Sequence, residues 1–240
     1  MMLRAILFDI DDTLFSTSEL THEARLASIT AMIGAGLRAG SEECYRELRE
    51  IVAEFGSNYP HHFEMLLRRL GHQAYAGRNE AVVVAAGVAA YHDTKMSRLR
   101  PFPDVAEVLP RLHASGRRLG IITAGLKHKQ AEKLVRLHVL PYFDPEAIFI
   151  TDQMGISKPN PKLYHKVHTA LGLAGGECMY VGNSPVNDID PAKDEGMTTV
   201  LVRRGGKELA AHGRTIPDHT IADFWELVDI LRRDYEIIIG

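Results

Sequence analysis

The chain has 240 residues, 45% hydrophobic and 25% charged, ordinary globular values that exclude a disordered, collagen-like or low-complexity protein. Its 28 Lys and Arg against 31 Asp and Glu give a net charge of -3, so no basic field exists to hold nucleic acid or an acidic membrane. Cys44 and Cys178 stand far apart, outside any CxxC spacing, and are expected to be plain buried thiols with no disulfide or zinc framework. The N-terminal segment carries one basic residue, Arg4, before Asp9, Asp11 and Asp12, which no secretory signal would contain. The longest apolar run, Ala81 to Tyr91, is far short of the roughly 20 residues that span a bilayer. A cytoplasmic protein is expected, with neither nucleic acid nor membrane as partner.

Five short segments rich in Val, Ile, Leu and Phe read as buried strands: Leu3 to Phe8, Leu119 to Thr123, Ala147 to Ile150, Cys178 to Val181 and Thr198 to Val202. From Asp104 onward they alternate with helical patterns such as Val105, Val108, Leu109 and Leu112, stopped by Gly116. This alternation implies crossover units and an α/β, doubly wound parallel sheet. More than a hundred residues separate the first two strands, where a crossover needs about a dozen. The excess reads as a separate helical module. Ser41 is expected to cap a helix carrying Tyr45, Leu48, Val52 and Phe55; Pro60 to open one carrying Phe63, Leu66, Leu67 and Leu70; Asn79 to cap a third through Ala90. The prolines of Leu99 to Asp104 suit a hinge-like return. The expected division is a core of residues 1–15 and 100–240 and a helical cap of residues 16–99. The tail, Tyr235 to Ile239, reads as an edge strand, a frayed end or an oligomer contact, and a homodimer through the cap or this tail is left open.

Ligands of an open parallel sheet bind beyond the carboxyl ends of its strands, where Asp9, Ile10, Asp11, Asp12 and Thr13 fall. Two carboxylates two residues apart repel unless a cation or shared proton intervenes, and a divalent metal would resolve that conflict. The plainer reading is a solvated turn in which Asp12 caps the next element. Strand two ends in Thr123, Ala124 and Gly125, a hydroxyl and small-residue amides that suit phosphate oxygens. Lys158 stands in a Pro-rich loop after strand three, and Asn183 and Asp188 after strand four supply hard oxygen ligands of the kind Mg2+ prefers.

The order and strand-end placement of these four groups resemble the haloacid dehalogenase superfamily of phosphohydrolases, in the branch with a helical cap inserted after the first motif. DxDxT is matched in full at Asp9, Asp11 and Thr13, the second motif at Thr123, the third at Lys158 and the fourth in part. The resemblance implies a Rossmann-like core and Mg2+-dependent hydrolysis of a small phosphorylated metabolite. Asp9 would be the nucleophile and would form an aspartyl-phosphate. Asp11 would act as acid and then base, its carbonyl also binding metal. Thr123 and the Ala124 amide would hold phosphate oxygens, and Lys158 would offset negative charge. Asp9, Asp11, Asn183 and Asp188 would form the metal site, and Tyr59 and His62 in the cap are candidates for substrate selection, against a plainer role in packing.

The departure from the pattern is Asn183, where the superfamily usually has an acid. Asn keeps the oxygen and loses the charge, so weaker Mg2+ binding is expected. An Asn near this position also resembles the haloacid dehalogenases themselves, so a 2-haloacid dehalogenase-type hydrolase is one alternative. A catalytically silent phosphate-binding or phospho-acceptor protein is another. His165 and His168 read as a surface pair, and Gln130 as a solvated residue of the helix after Gly125.

Overall fold

The computed structural model describes residues 2–205 and 210–240. Six parallel strands form one sheet: β1 (Ala5–Phe8), β2 (Arg118–Thr123), β3 (Ile148–Ile150), β4 (Cys178–Gly182), β5 (Thr198–Val202) and β6 (His219–Ile221), in the order β3-β2-β1-β4-β5-β6. The doubly wound α/β class expected from the alternation is therefore the one observed. β6 is an addition. Three residues with a polar start, paired only to β5 at the sheet edge, carry too little apolar pattern to stand out in a sequence.

Alternate residues of each strand face opposite sides of the sheet, and each side is covered by helices. On one side Ala5, Leu7, Ile122, Phe149 and Tyr180 pack on Leu163, Tyr164 and Val167 of helix α8 (Pro161–Ala170). Phe8 faces the other way, stacking on Phe224 of α10 (Phe224–Tyr235) at 5.6 Å and meeting Phe143 edge-on at 6.1 Å. The chain after α10 is no strand. Glu236 turns it off the helix in the left-handed region, Ile237 and Ile239 are buried, and Arg111 donates to the Gly240 carbonyl at 2.7 Å. The edge-strand and frayed-end readings of this tail are both corrected.

The chain divides into two units, one of residues up to Ser18 together with Leu99–Gly240, the other Glu19–Arg98. In the first, the Phe102 amide donates to the Leu14 carbonyl at 2.9 Å, so the chain leaves and re-enters at adjoining points. The second is all helical: most of α1 (Thr17–Gly34), then α2 (Ser41–Phe55), α3 (His62–Leu70) and α4 (Glu80–Arg98). Its core is Ile29, Met32, Cys44, Leu48, Ile51, Phe63, Leu66, Leu67 and Val83. Gly87 of α4 faces Met32, and a Cβ there would lie 2.8 Å from its sulfur, so a larger residue requires the Met32 side chain to shift. Three local expectations are corrected. Ser41 is the first helical residue of α2 behind an uncapped Gly40, with Glu42 and Glu43 complementing the helix dipole instead. The third helix of the segment starts after Pro60, at His62. Asn79 does cap α4, accepting from the Ala81 amide at 2.9 Å, but that helix runs past Ala90 to Arg98. Both cysteines are free and buried, and among the described residues no helix is long and apolar enough to cross a membrane.

Candidate active site

The strand order reverses direction between β1 and β4, the place where open α/β sheets bind ligands. Asp9 follows β1 directly, its amide donating to the Val181 carbonyl at 2.9 Å. Asp12 then adopts the left-handed region, φ 55, which Asp tolerates better than most residues. That turn is fixed by Ser18, whose amide and hydroxyl donate to the two Asp12 carboxylate oxygens at 2.9 and 2.7 Å. Asp12 thus holds the first turn of α1.

Lys158 is the hub. Its Nζ donates at 2.7 Å to Asp9 Oδ1, to Asp188 Oδ1 and to the Tyr180 hydroxyl, and its side chain is 4% exposed. Asp188 is held in turn by the Ser184 amide at 2.9 Å, inside a wide π-type turn over Pro185–Ile189. Gly182 makes room for it, because a Cβ there would lie 2.6 Å from the Asp188 carboxylate. The Tyr180 hydroxyl reaches the Ile122 carbonyl at 3.0 Å and ties this cluster to the end of β2.

Burial pushes the Asp9 carboxyl up to about 7; Lys158 pulls it back, while Asp188 and Asp11 add to the rise. Burial opposes the charge on Lys158, but Asp188 and Asp9 outweigh it and hold the ammonium well above its ordinary range. Asp11 behaves differently. Burial raises it, yet the Lys133 ammonium, at 2.6 and 2.7 Å from its two oxygens, and hydrogen bonds from Thr17 and Gln130 bring it below the usual carboxylate range.

Asp9, Lys158 and Asp188 are thus joined in one hydrogen-bonded cluster. The Thr123 hydroxyl, at the neighbouring end of β2, is buried and has no partner among the described residues. An orphaned buried hydroxyl is costly and marks a place where a ligand oxygen would fit. Ala124 is exposed and its carbonyl accepts from Gln130 Nε2 at 2.6 Å. Asn183 is half-buried at the end of β4. Tyr59 and His62 belong to the helical unit, where Tyr59 stacks on Phe55 at 4.8 Å and His62 Nε2 lies 2.9 Å from the Gly56 carbonyl.

Gln130 is not solvated as expected: it is 5% exposed and bonded to Asp11 and Ala124. Lys133 and Tyr180 were missed altogether. The available signal for Lys133 was its spacing, three residues after Gln130 on α6 (Lys127–Arg136), which puts both on one face. Tyr180 looked like strand core, and nothing in its spacing distinguishes a tyrosine whose hydroxyl meets a lysine.

Comparison with known proteins identifies the family. Residues 3–196 match the model of the haloacid dehalogenase-like hydrolases. The chain belongs to that family. Among its relatives, the glyceraldehyde 3-phosphate phosphatase of Methanopyrus kandleri is 44% identical, covering 96% of this chain and 98% of the relative. The protein of the same name from Methanocaldococcus jannaschii is 38% identical, again covering 96% and 98%. The crystal structure of a HAD phosphatase from Thermococcus onnurineus superposes with a TM-score of 0.67 at 27% identity, covering 95% of this chain and 98% of that one.

Within this hydrolase the donor set fits Mg2+. Asp9, the Asp11 carbonyl, Asn183 and Asp188 offer hard oxygens. Three carboxylates (Asp9, Asp11 and Asp188) face two ammonium groups (Lys158 and Lys133), so an added cation would balance the charge of the ionised set.

Proposed function

We propose that this hydrolase is a Mg2+-dependent phosphatase of a small phosphorylated metabolite, with glyceraldehyde 3-phosphate, the substrate named for its relatives, as the first candidate. The observation that carries the reading is the buried Lys158 bridge between Asp9 and Asp188 beside the orphaned Thr123 hydroxyl. Phosphate-monoester hydrolysis is among the slowest uncatalysed reactions, so an aimed nucleophile and concentrated positive charge are its main needs.

Asp9 attacks phosphorus with a carboxylate oxygen; the new P–O bond forms as the bond to the ester oxygen breaks. Asp11, protonated for this step, gives its proton to the leaving oxygen, and the Asp9 aspartyl-phosphate remains. Asp11, now ionised, takes a proton from water as that water's oxygen attacks phosphorus. The aspartyl oxygen departs, and phosphate and free Asp9 result. Lys158 holds charge against Asp9 and the phosphoryl oxygens throughout, and Thr123 and the Ala124 amide donate to those oxygens. Held by Asp9, the Asp11 carbonyl, Asn183 and Asp188, Mg2+ would neutralise part of the phosphoryl charge. Lys133 favours the ionised, base form of Asp11. Residues 16–99 are proposed as the substrate-selecting cap of the core 1–15 and 100–240, with Tyr59 and His62 as its candidates. The relatives are named phosphatases, which supports ester hydrolysis over dehalogenation.

The test is steady-state phosphate release from glyceraldehyde 3-phosphate with Mg2+ titrated and then chelated, for the wild type and Asp9→Asn. Mg2+-dependent turnover that Asp9→Asn abolishes is expected. No phosphate release at saturating Mg2+ from this ester or from p-nitrophenyl phosphate would overturn the reading.

A further inference from the structure

His165 and His168 lie one turn apart on α8, so their rings share a face of that helix. Glu195, just beyond α9 (Asp190–Asp194), reaches the same place. His165 Nδ1 lies 2.9 Å and His168 Nε2 3.4 Å from Glu195 Oε2, and the three atoms all fall within 4.8 Å of one another. A tetrahedral ion with bonds of about 2.0 to 2.1 Å holds its ligand atoms about 3.3 to 3.5 Å apart, so small side-chain rotations suffice to close the group around one.

Two further observations distinguish this group from a chance surface pair. His168 Nδ1 lies 3.0 Å from the Leu173 carbonyl, which can only accept, so the proton sits on Nδ1. Nε2 then faces the Glu195 carboxylate, a place that either a second ring proton or a shared cation can fill. A ring N–H bonded to a backbone carbonyl is also the usual outer support of a metal-binding histidine. The second observation is rigidity. There is no room for a Cβ on Gly175 against the Glu195 carbonyl oxygen, so the loop before β4 packs directly on this backbone.

We propose that His165, His168 and Glu195 form a second metal site, for a late first-row divalent cation of the Zn2+ type, separate from the Asp9 centre. Two imidazoles and one carboxylate suit Zn2+, whereas Mg2+ prefers an all-oxygen shell. The ion would join α8, which follows the Lys158 loop, to the end of α9, which follows the Asp188 turn. It would act as a clip on the two segments that carry the buried ion pair, with a coordination position left for water.

The experiment titrates chelator-stripped protein with Zn2+ in excess Mg2+, so that Mg2+ competes at the oxygen-rich centre. A competing indicator reads affinity, and thermal unfolding is followed in parallel. The wild type is expected to take up one Zn2+ per chain with micromolar or tighter affinity and to melt at higher temperature with Zn2+. His165→Ala, whose native ring is 63% exposed and which therefore leaves the core intact, and Glu195→Gln should each weaken uptake by at least about tenfold and remove the thermal shift. Absence of uptake in the wild type would overturn the proposal and reduce the group to a protonated His–Glu ion pair. Affinity unchanged in either variant would overturn it as well, because zinc would then sit elsewhere.

Discussion

Gly182→Ala tests whether the Lys158 cluster is as tightly built as its distances say. The new Cβ would lie 2.6 Å from both Cγ and Oδ2 of Asp188, where about 3.5 Å is ordinary contact, so the carboxylate must retreat by about 1 Å. Retreat stretches its 2.7 Å bond from Lys158 to about 3.5 Å or beyond, past hydrogen-bonding range. Asp188 and Lys158 side chains are 2% and 4% exposed, so water does not replace the lost partner. Loosening a buried charged pair in this way costs about 2 to 4 kcal/mol. Displacing Lys158 from Asp9 by a similar distance lowers turnover by about a hundredfold. Urea unfolding reads the first quantity and phosphate release the second. The new Cβ would also lie 2.7 Å from the Asp188 Cβ, so in the double variant with Asp188→Ala part of the clash remains, and Gly182→Ala should cost less there than in the wild type. Stability within about 0.5 kcal/mol of wild type, with activity within about twofold, would refute the reasoning.

Lys133→Met removes the group that holds Asp11 low, so Asp11 titrates at higher pH and the limb of the pH–rate profile that it governs moves upward; a lower rate with an unmoved profile would assign Lys133 a packing role. The Asp9 carboxyl, at about 7 when folded against an ordinary 3.8, keeps a proton that the unfolded chain releases. Its contribution to stability therefore falls as pH rises from about 4 to about 7. In chelator, the wild type should lose stability relative to Asp9→Asn across that window, and parallel curves for the two proteins would contradict the burial argument. Asn183→Asp restores a ligand charge and should tighten Mg2+ by about tenfold, read as the half-saturating Mg2+ for phosphate release; an unchanged requirement would remove Asn183 from the metal shell.

Much of the core was legible because buried parallel strands are written as short apolar runs and their ends carry the unusual polar residues. Asp9, Lys158 and Asp188 could be grouped before any coordinates, since each follows a strand of one sheet. β6 escaped because its three residues owe their conformation to β5 and not to their own pattern. Lys133 and Gln130 escaped for a related reason. A charged residue on a helix is normally solvated, and only the packing of α6 reveals that this face meets Asp11. Tyr180 shows the converse. Its ring obeys the strand pattern, while its hydroxyl serves the charge cluster, and hydrophobicity alone registers the ring.

The hydrogen bond between the Phe102 amide and the Leu14 carbonyl has a topological consequence. The two ends of the long excursion are pinned side by side within the sheet-bearing unit, so the intervening stretch is a plug-in whose length and content the β-ladder does not sense. Loop-closure cost grows only with the logarithm of length, about 0.6 kcal/mol per doubling. Exchange of the whole stretch between Glu19 and Arg98 for another, or its replacement by a brief turn, would leave the ladder's register untouched.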